Sequence, residues 1–330
     1  MTVSIRDVAA HAGVSLGTVS NVLNRPDVVA EGTVERVRAA VAELGYVRND
    51  AARQLRAGRS LTVGLVVLDA ANPFYAELSR GAEDEASRHG LSVLVGNSGE
   101  QEERESAYLD LFAQQRVWGV LVSPVGENVD HLIRLSERGT PVVLVDRSAP
   151  GSGLSSVATD DVRGGYLAVK HLLDQARRRI AYISGPQGLH QVADRLEGAR
   201  RAVDEVPGAT LEVIECAALT VLEGRAAAQD IVDRPPADRP DAVFAANDLL
   251  ATGALQAIVM GGSMRVPDDI ALVGYDDIDF ASSAVVPFSS IRQPARLMGE
   301  TAMQLLADRP DPPRDIRFTP ELIIRASTSS

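Results

Sequence analysis

The sequence predicts a small N-terminal all-α helix-turn-helix head, followed by an α/β core of two doubly wound parallel-sheet lobes. Three observations predict it. Residues 4–23 carry two apolar helix faces separated by one glycine. A stretch of about a dozen residues with a single large apolar side chain follows the head. From Leu61 onward, short apolar runs alternate with longer helical segments.

In the first helix Ile5, Val8, Ala9 and Ala12 stand at i, i+3, i+4 and i+7, one apolar face. Ser4 with Asp7 three residues on forms a capped start. Gly13 stops this helix where a left-handed residue is cheap. Ser15 can cap a second helix whose inward positions are Val19, Val22 and Leu23. A small residue at Ala9, glycine at the corner and a branched side chain at Val19 are the helix-turn-helix pattern. An ordinary helical hairpin is the alternative on these residues alone. Counting 100° per residue from Val19 puts Gly17 and Asn21 on the outward side, with Leu16 at the flank of the first turn.

A third helix is expected from about Thr33 to Leu44, with Val34, Val37, Val41 and Leu44 on one face and Gly45 closing it. Next, residues 49–59 have a cap at Asn49, a stop at Gly58 and one large apolar residue, Leu55. Burying one leucine is worth roughly 2 kcal/mol, too little to offset helix nucleation in a short segment. This segment should order only against a partner. The expected boundaries are 1–46 for the head, 47–60 for the hinge and 61–330 for the core.

The apolar runs of the core lie at 62–68, 91–95, 119–123, 141–145, 180–184, 242–246 and 270–274. Their alternation with helices is the βαβ rhythm of parallel sheets covered on both faces. A core this large divides naturally into two lobes. Lobe 1 is expected at about 61–160 and 290–320, and lobe 2 at about 161–289 and 321–326.

Composition narrows the function. The 330 residues are 45% hydrophobic and only 4% aromatic, so aliphatic side chains must fill the core. One cysteine, Cys216, excludes an internal disulfide and a cysteine-based zinc site, in keeping with a reducing cytoplasm. No secretory signal and no membrane span are expected. The net charge of −12 is unevenly distributed. Residues 1–60 hold eight arginines against six acids, so the head is slightly basic on an acidic body.

The chain resembles the LacI/GalR family of bacterial transcription regulators. The resemblance is carried by Ser4-Ile5-Arg6-Asp7-Val8-Ala9, Ala12-Gly13-Val14-Ser15, Thr18-Val19-Ser20-Asn21-Val22-Leu23-Asn24 and Leu44-Gly45-Tyr46. Further on come Asn72-Pro73-Phe74-Tyr75, Arg195-Leu196-Glu197-Gly198, Ala246-Asn247-Asp248 and Val273-Gly274-Tyr275-Asp276-Asp277. It implies a core like the periplasmic binding proteins and a homodimer on near-palindromic operator DNA. It also implies a small-molecule effector between the lobes. Leu16, Gly17 and Asn21 fall on base-reading positions, and asparagine suits adenine where the family's frequent arginine suits guanine. Ser15, Thr18, Ser20 and Asn24 are placed for DNA contact, chiefly with phosphates. Ala52 and Leu55 fall in the hinge. Leu55 stands at the family's minor-groove wedge. A linker leucine resting on the core is the alternative.

Ligands of such cores bind at the carboxyl ends of strands. Asp146, Asn247 and Asp276 follow strands, and Ser123 ends another. The resemblance brings Arg195 to the same cleft as main donor, with Phe74 offering an apolar face. Two carboxylates, an amide and a guanidinium suit a sugar or a sugar derivative. A nucleobase or nucleoside is the second possibility. The acid pairs Asp160-Asp161 and Asp276-Asp277 would otherwise be solvated or capping. Neither a nucleophile elbow nor a phosphate loop occurs, and the five histidines lack metal-ligand spacing. Hence neither enzyme activity, nor a cofactor, nor a metal is expected. A sugar-binding protein or an enzyme on the same core is the alternative. Beyond Arg325 no heptad extension follows, so a dimer is expected rather than a tetramer.

Overall fold

A computed structural model describes residues 3–46, 60–126 and 129–329 of the chain. They fall into two compact units divided at Arg59 and Ser60. The expected hinge helix, with Ala52 and Leu55, lies outside the described residues.

The described residues of the first unit hold three α-helices: α1 (Ile5–Ala12), α2 (Leu16–Asn24) and α3 (Glu31–Leu44). Asp7 accepts from both the backbone N–H and the hydroxyl of Ser4, at 2.8 and 2.7 Å, which closes the start of α1. Those two bonds hold its carboxyl below the usual range. Gly13 turns the chain at φ 65°, and the Ser15 hydroxyl accepts from Thr18 N at 3.0 Å to cap α2. Val8, Val19 and Val37, one from each helix, are fully buried, with Ala9, Val22, Val34 and Ala40 around them. α3 begins two residues before the expected Thr33, because Ala30 can close the first turn through its carbonyl alone. Gly45 ends it at φ 61°.

The second unit contains two six-stranded sheets. The first is built from β1 (Thr62–Val67), β2 (Ser92–Asn97), β3 (Gly119–Val122), β4 (Val142–Val145) and β5 (Ser155–Thr159), in the order β2-β1-β3-β4-β5. The second repeats that order with β6 (Arg179–Ser184), β7 (Thr210–Glu215), β8 (Ala242–Ala245), β9 (Ala271–Asp276) and β10 (Ser289–Arg292), as β7-β6-β8-β9-β10. Each is closed by a late strand. β11 (Asp315–Phe318) runs parallel to β5, and β12 (Glu321–Ile323) runs antiparallel to β10. The chain therefore crosses between lobes three times, near 160, 293 and 320. β10 pairs with β9 through Arg292, so the second segment of lobe 1 starts near 293 rather than 290.

The helices covering lobe 1 are α4 (Pro73–Arg88), α5 (Glu102–Gln114), α6 (Asp130–Glu137) and, after the second crossing, α12 (Ala295–Asp308). Lobe 2 carries α7 (Asp161–Asp174), α8 (His190–Asp204), α9 (Val221–Val232), α10 (Asp248–Gly261) and the short α11 (Asp279–Ser283). Each sheet order reverses direction beside its first strand, the topological switch point at which such sheets open a crevice. The two crevices face each other. Leu189, Val192, Leu249 and Ile278 of lobe 2 join the apolar cluster of lobe 1 around Phe74, Tyr75 and Leu68. The lobes are closed on the cleft.

Candidate DNA-binding face and effector cleft

In the head, burial of Val19 and Val22 fixes which side of α2 remains outside. Leu16, Gly17 and Asn21 are exposed on that side, as is Ser15 at the cap. Thr18 and Ser20 are half-buried. Thr18 Oγ1 lies 2.9 Å from Ser15 Oγ, and exposed Asn24 donates to Ser20 O at 2.8 Å. The face is a short ridge of small polar groups flanked by one leucine.

The cleft is nearly filled, with a cavity volume of about 20 Å³. Lobe 1 lines it with Leu68 and Asp69 after β1, Asn72, Phe74 and Tyr75 at the start of α4, Glu100 after β2, and Asp146 after β4. Lobe 2 adds Gln191 and Arg195 from α8, Leu219 before α9, Asn247 after β8 and Asp276 at the end of β9. Gln293 enters from the second crossing. All but the α8 pair and Phe74 and Tyr75, in the first turn of α4, come from the carboxyl ends of strands or the loops that follow them.

Arg195 is 3% exposed. Its Nε donates to Asp161 Oδ1 at 2.7 Å and one Nη to Ala246 O at 2.7 Å, while its guanidinium lies 3.6 Å from the Tyr275 ring centroid. The side chain is thus held on one edge and one face, and its remaining N–H groups are left for the cleft. Two glycines make this possible. A Cβ on Gly198 would lie 1.9 Å from Val162 O, and one on Gly165 would lie 2.0 Å from Arg195 O. Backbone contact between α7 and α8 is what brings Asp161 under Arg195.

Asp146 stands at φ 58° and is buried. Its Oδ2 accepts from Tyr75 Oη at 2.9 Å and from Gln191 Nε2 at 3.3 Å, and its Oδ1 has no partner. Burial first, and then the charge of Asp161, push its carboxyl up to about 8 against the pull of Arg195. Asp276 accepts from Asn72 Nδ2 at 3.3 Å and Gln293 Nε2 at 2.8 Å, and burial raises it to about 6. Glu100 is raised to about 7 by burial and by Asp69. The bonds Gln191 to Asp146 and Asn72 to Asp276 both cross from one lobe to the other.

Residues 4–49 match the family described as bacterial regulatory proteins, lacI family, and residues 169–328 match a periplasmic binding protein-like domain. The chain is 37% identical over 303 residues to the ribose operon repressor of Bacillus subtilis (strain 168), covering 92% of this chain and 90% of that one. The chain belongs to the LacI family. Among solved structures, that of the transcriptional regulator CelR with cellobiose has a TM-score of 0.71 at 36% identity, covering 98% of this chain and 99% of that one. The lac repressor dimer bound to operator and the anti-inducer ONPF reaches 0.83 at 28% identity, covering each chain fully (100%). The protein is a DNA-binding transcriptional regulator, and these relatives are regulators rather than enzymes. Among the described residues no helix is long and apolar enough to cross a membrane.

Within this LacI-family cleft the structure brings together five of the six residues singled out from sequence: Phe74, Asp146, Arg195, Asn247 and Asp276. Ser123 is the exception. It is buried behind the lining, where it bonds the Tyr75 hydroxyl that in turn holds Asp146. Asn247 lines the cleft but is already occupied, capping α10 through Leu250 N at 2.9 Å and donating to Leu219 O at 3.2 Å.

The acid pairs need correction. Asp160 does cap α7, but Asp161 is buried as the partner of Arg195, and Asp277 is ion-paired with Arg292 at 2.8 Å and Arg325 at 2.7 Å. Arg177 and Arg178 donate to the carbonyls of Pro267 and Leu173, tying a loop and the end of α7 to the entry of β6. Of the lining, sequence reasoning missed Leu68, Asp69, Asn72, Tyr75, Glu100, Gln191, Leu219 and Gln293. Gln191 was findable, since it precedes Arg195 by four residues on one helix and must share its face.

Proposed function

We propose that this regulator is a repressor that binds a near-palindromic operator as a dimer and is controlled by a sugar or sugar derivative in the interlobe cleft. Leu16 and Asn21 read bases in the major groove, Gly17 stands at a base-reading position without a side chain to reach a base edge, and Ser15, Thr18, Ser20 and Asn24 contact the backbone. Ala52 and Leu55 belong to a hinge that enters the minor groove. Apolar side chains left exposed on both lobes, Leu94 and Val95 on β2, and Leu222, Met260 and Val285, support association of two copies. The operator-bound dimer of the lac repressor supports the same arrangement.

One observation carries the effector reading. Asp146, Arg195 and Asp276 converge with Phe74 in a single buried cleft, offering acceptors, donors and a ring face together. The relatives named for ribose and bound to cellobiose support a sugar.

The test is selection of bound duplexes from a random pool with the purified protein, followed by titration of the winner with Leu55→Ala, with and without ribose or cellobiose. A site of two half-sites that the substitution greatly weakens, and that sugar releases or tightens, supports the proposal. Failure to enrich any site, with sugars present or absent, overturns the operator reading.

A further inference from the structure

The electrostatics of the cleft restrict the ligand further, on the reading that a polyol binds there. Four of the lining side chains are carboxyls: Asp69, Glu100, Asp146 and Asp276. Arg195 is the one cation among the lining residues, and Asp161 already neutralises it from behind at 2.7 Å. No net positive charge remains to receive an anion.

The hydrogen-bond ledger points the same way. Two buried polar atoms of the lining have no partner, Asp146 Oδ1 and Gln293 Oε1, and the parent residues are only 4% exposed. The amide nitrogens of Gln191, Gln293, Asn72 and Asn247 all make internal bonds. Gln293 Oε1 is an acceptor waiting for a donor, which a ligand hydroxyl supplies and a phosphate oxygen does not. The carboxyls also raise one another: Asp276 acts on Asp146, Asp69 on Glu100, and Asp161 on both Asp146 and Asp276.

We infer that the cleft selects an uncharged polyol and rejects the phosphorylated or carboxylated form of the same compound, with Gln293 accepting from a ligand hydroxyl and Asp276 and Asp69 supplying the excluding charge. An anion entering beside Asp276 and Asp69 finds like charge in a desolvated site, where salt screens little.

Calorimetric titration of the full chain at pH 7.4 tests this with paired ligands. Ribose, glucose, galactose and cellobiose form the neutral series, and ribose 5-phosphate, glucose 6-phosphate and glucuronate form the anionic one. The expected result is at least one neutral sugar that binds, with its charged counterpart weaker by about 100-fold or more. That gap should persist at high salt, where a surface potential would be screened. Asp276→Asn, checked for folding by its melting curve, should narrow the gap by about tenfold. A phosphate or carboxylate form that binds as tightly as its neutral partner overturns the inference. If neither series binds while an operator is selected normally, the polyol reading of the cleft fails and this inference with it, leaving the DNA-binding reading intact.

Discussion

The head and the cleft are both built from a handful of side chains, but their parts come from different distances along the chain. The head's buried residues, from Val8 to Ala40, all lie within 33 positions and are packed by helical spacing alone. The cleft's Asn72 and Asp276 are 204 residues apart and still share a hydrogen bond. In the head each side chain has one role, inward or outward. In the cleft one side chain serves several. Asp161 begins a helix, holds Arg195 and raises Asp146. A local unit therefore fails by losing its core, whereas a convergent site fails by losing a partner.

The largest effect should come from Val19→Asp. Val19 is fully buried in a core of seven small aliphatic residues, and an unpaired carboxylate there has no compensating group. Operator affinity by fluorescence anisotropy should fall by more than about 100-fold, while the melting temperature of the core unit stays within about 1 °C because the two units have separate cores. A core that melts earlier would break the comparison.

Arg195→Met probes the opposite kind of failure. It strands Asp161 at 5% side-chain exposure and should lower core stability in urea by about 3–5 kcal/mol. Adding Asp161→Leu should return most of that loss, since removing both charges of a buried pair is far cheaper than removing one. Equal destabilisation by the single and double variants would show that the pair is not what holds α7 to α8.

Two glycines sharpen the contrast. In Gly198→Ala the new methyl would sit 1.9 Å from a carbonyl oxygen, and the displaced helices should cost about 1–3 kcal/mol. In Gly17→Ala the nearest atom is Ser15 Oγ at 3.6 Å, and α2 should gain about 0.5–1 kcal/mol, read as slower amide exchange in the full chain. The same substitution thus carries opposite signs, according to whether the glycine serves a helix crossing or merely sits on a helix.

The same difference decides what a sequence can reveal. Val19, Gly13 and Ser15 announce the head because period and caps are local. The seven apolar runs become strands for the same reason. β7, β11 and β12 escaped as partly exposed edge strands, and β5 and β10 because their buried residues are largely hydroxylic. Ser155 and Ser156 accept or donate within lobe 1, and Ser290 is satisfied by Asp248 at 2.7 Å, so no apolar alternation marks them. Arg195 and Asp276 were legible through motif and strand end. Asp161 was not, because nothing next to it in the chain distinguishes a solvated acid from one that a helix crossing 34 residues later covers.

The last predicted effect concerns Asp146, and its sign follows from the direction of the shift. Its carboxyl is near 8 in the fold against about 4 in an unfolded chain. The folded state therefore holds the proton more tightly. The stability this contributes is fully present below about pH 4 and is lost as pH rises through 8. Asp276, near 6, adds a loss confined to the lower part of that window. Asp146→Asn cannot ionise but keeps an oxygen for Tyr75. Melting curves of the ligand-free protein should therefore nearly coincide with wild type at pH 4. By pH 9 the variant should lead by several degrees, because wild type must then bury a carboxylate whose Oδ1 has no partner. A variant that trails wild type equally at every pH would mean that Asp146 acts through its hydrogen bonds alone. The position would then behave like those of the head, fixed by packing and indifferent to charge.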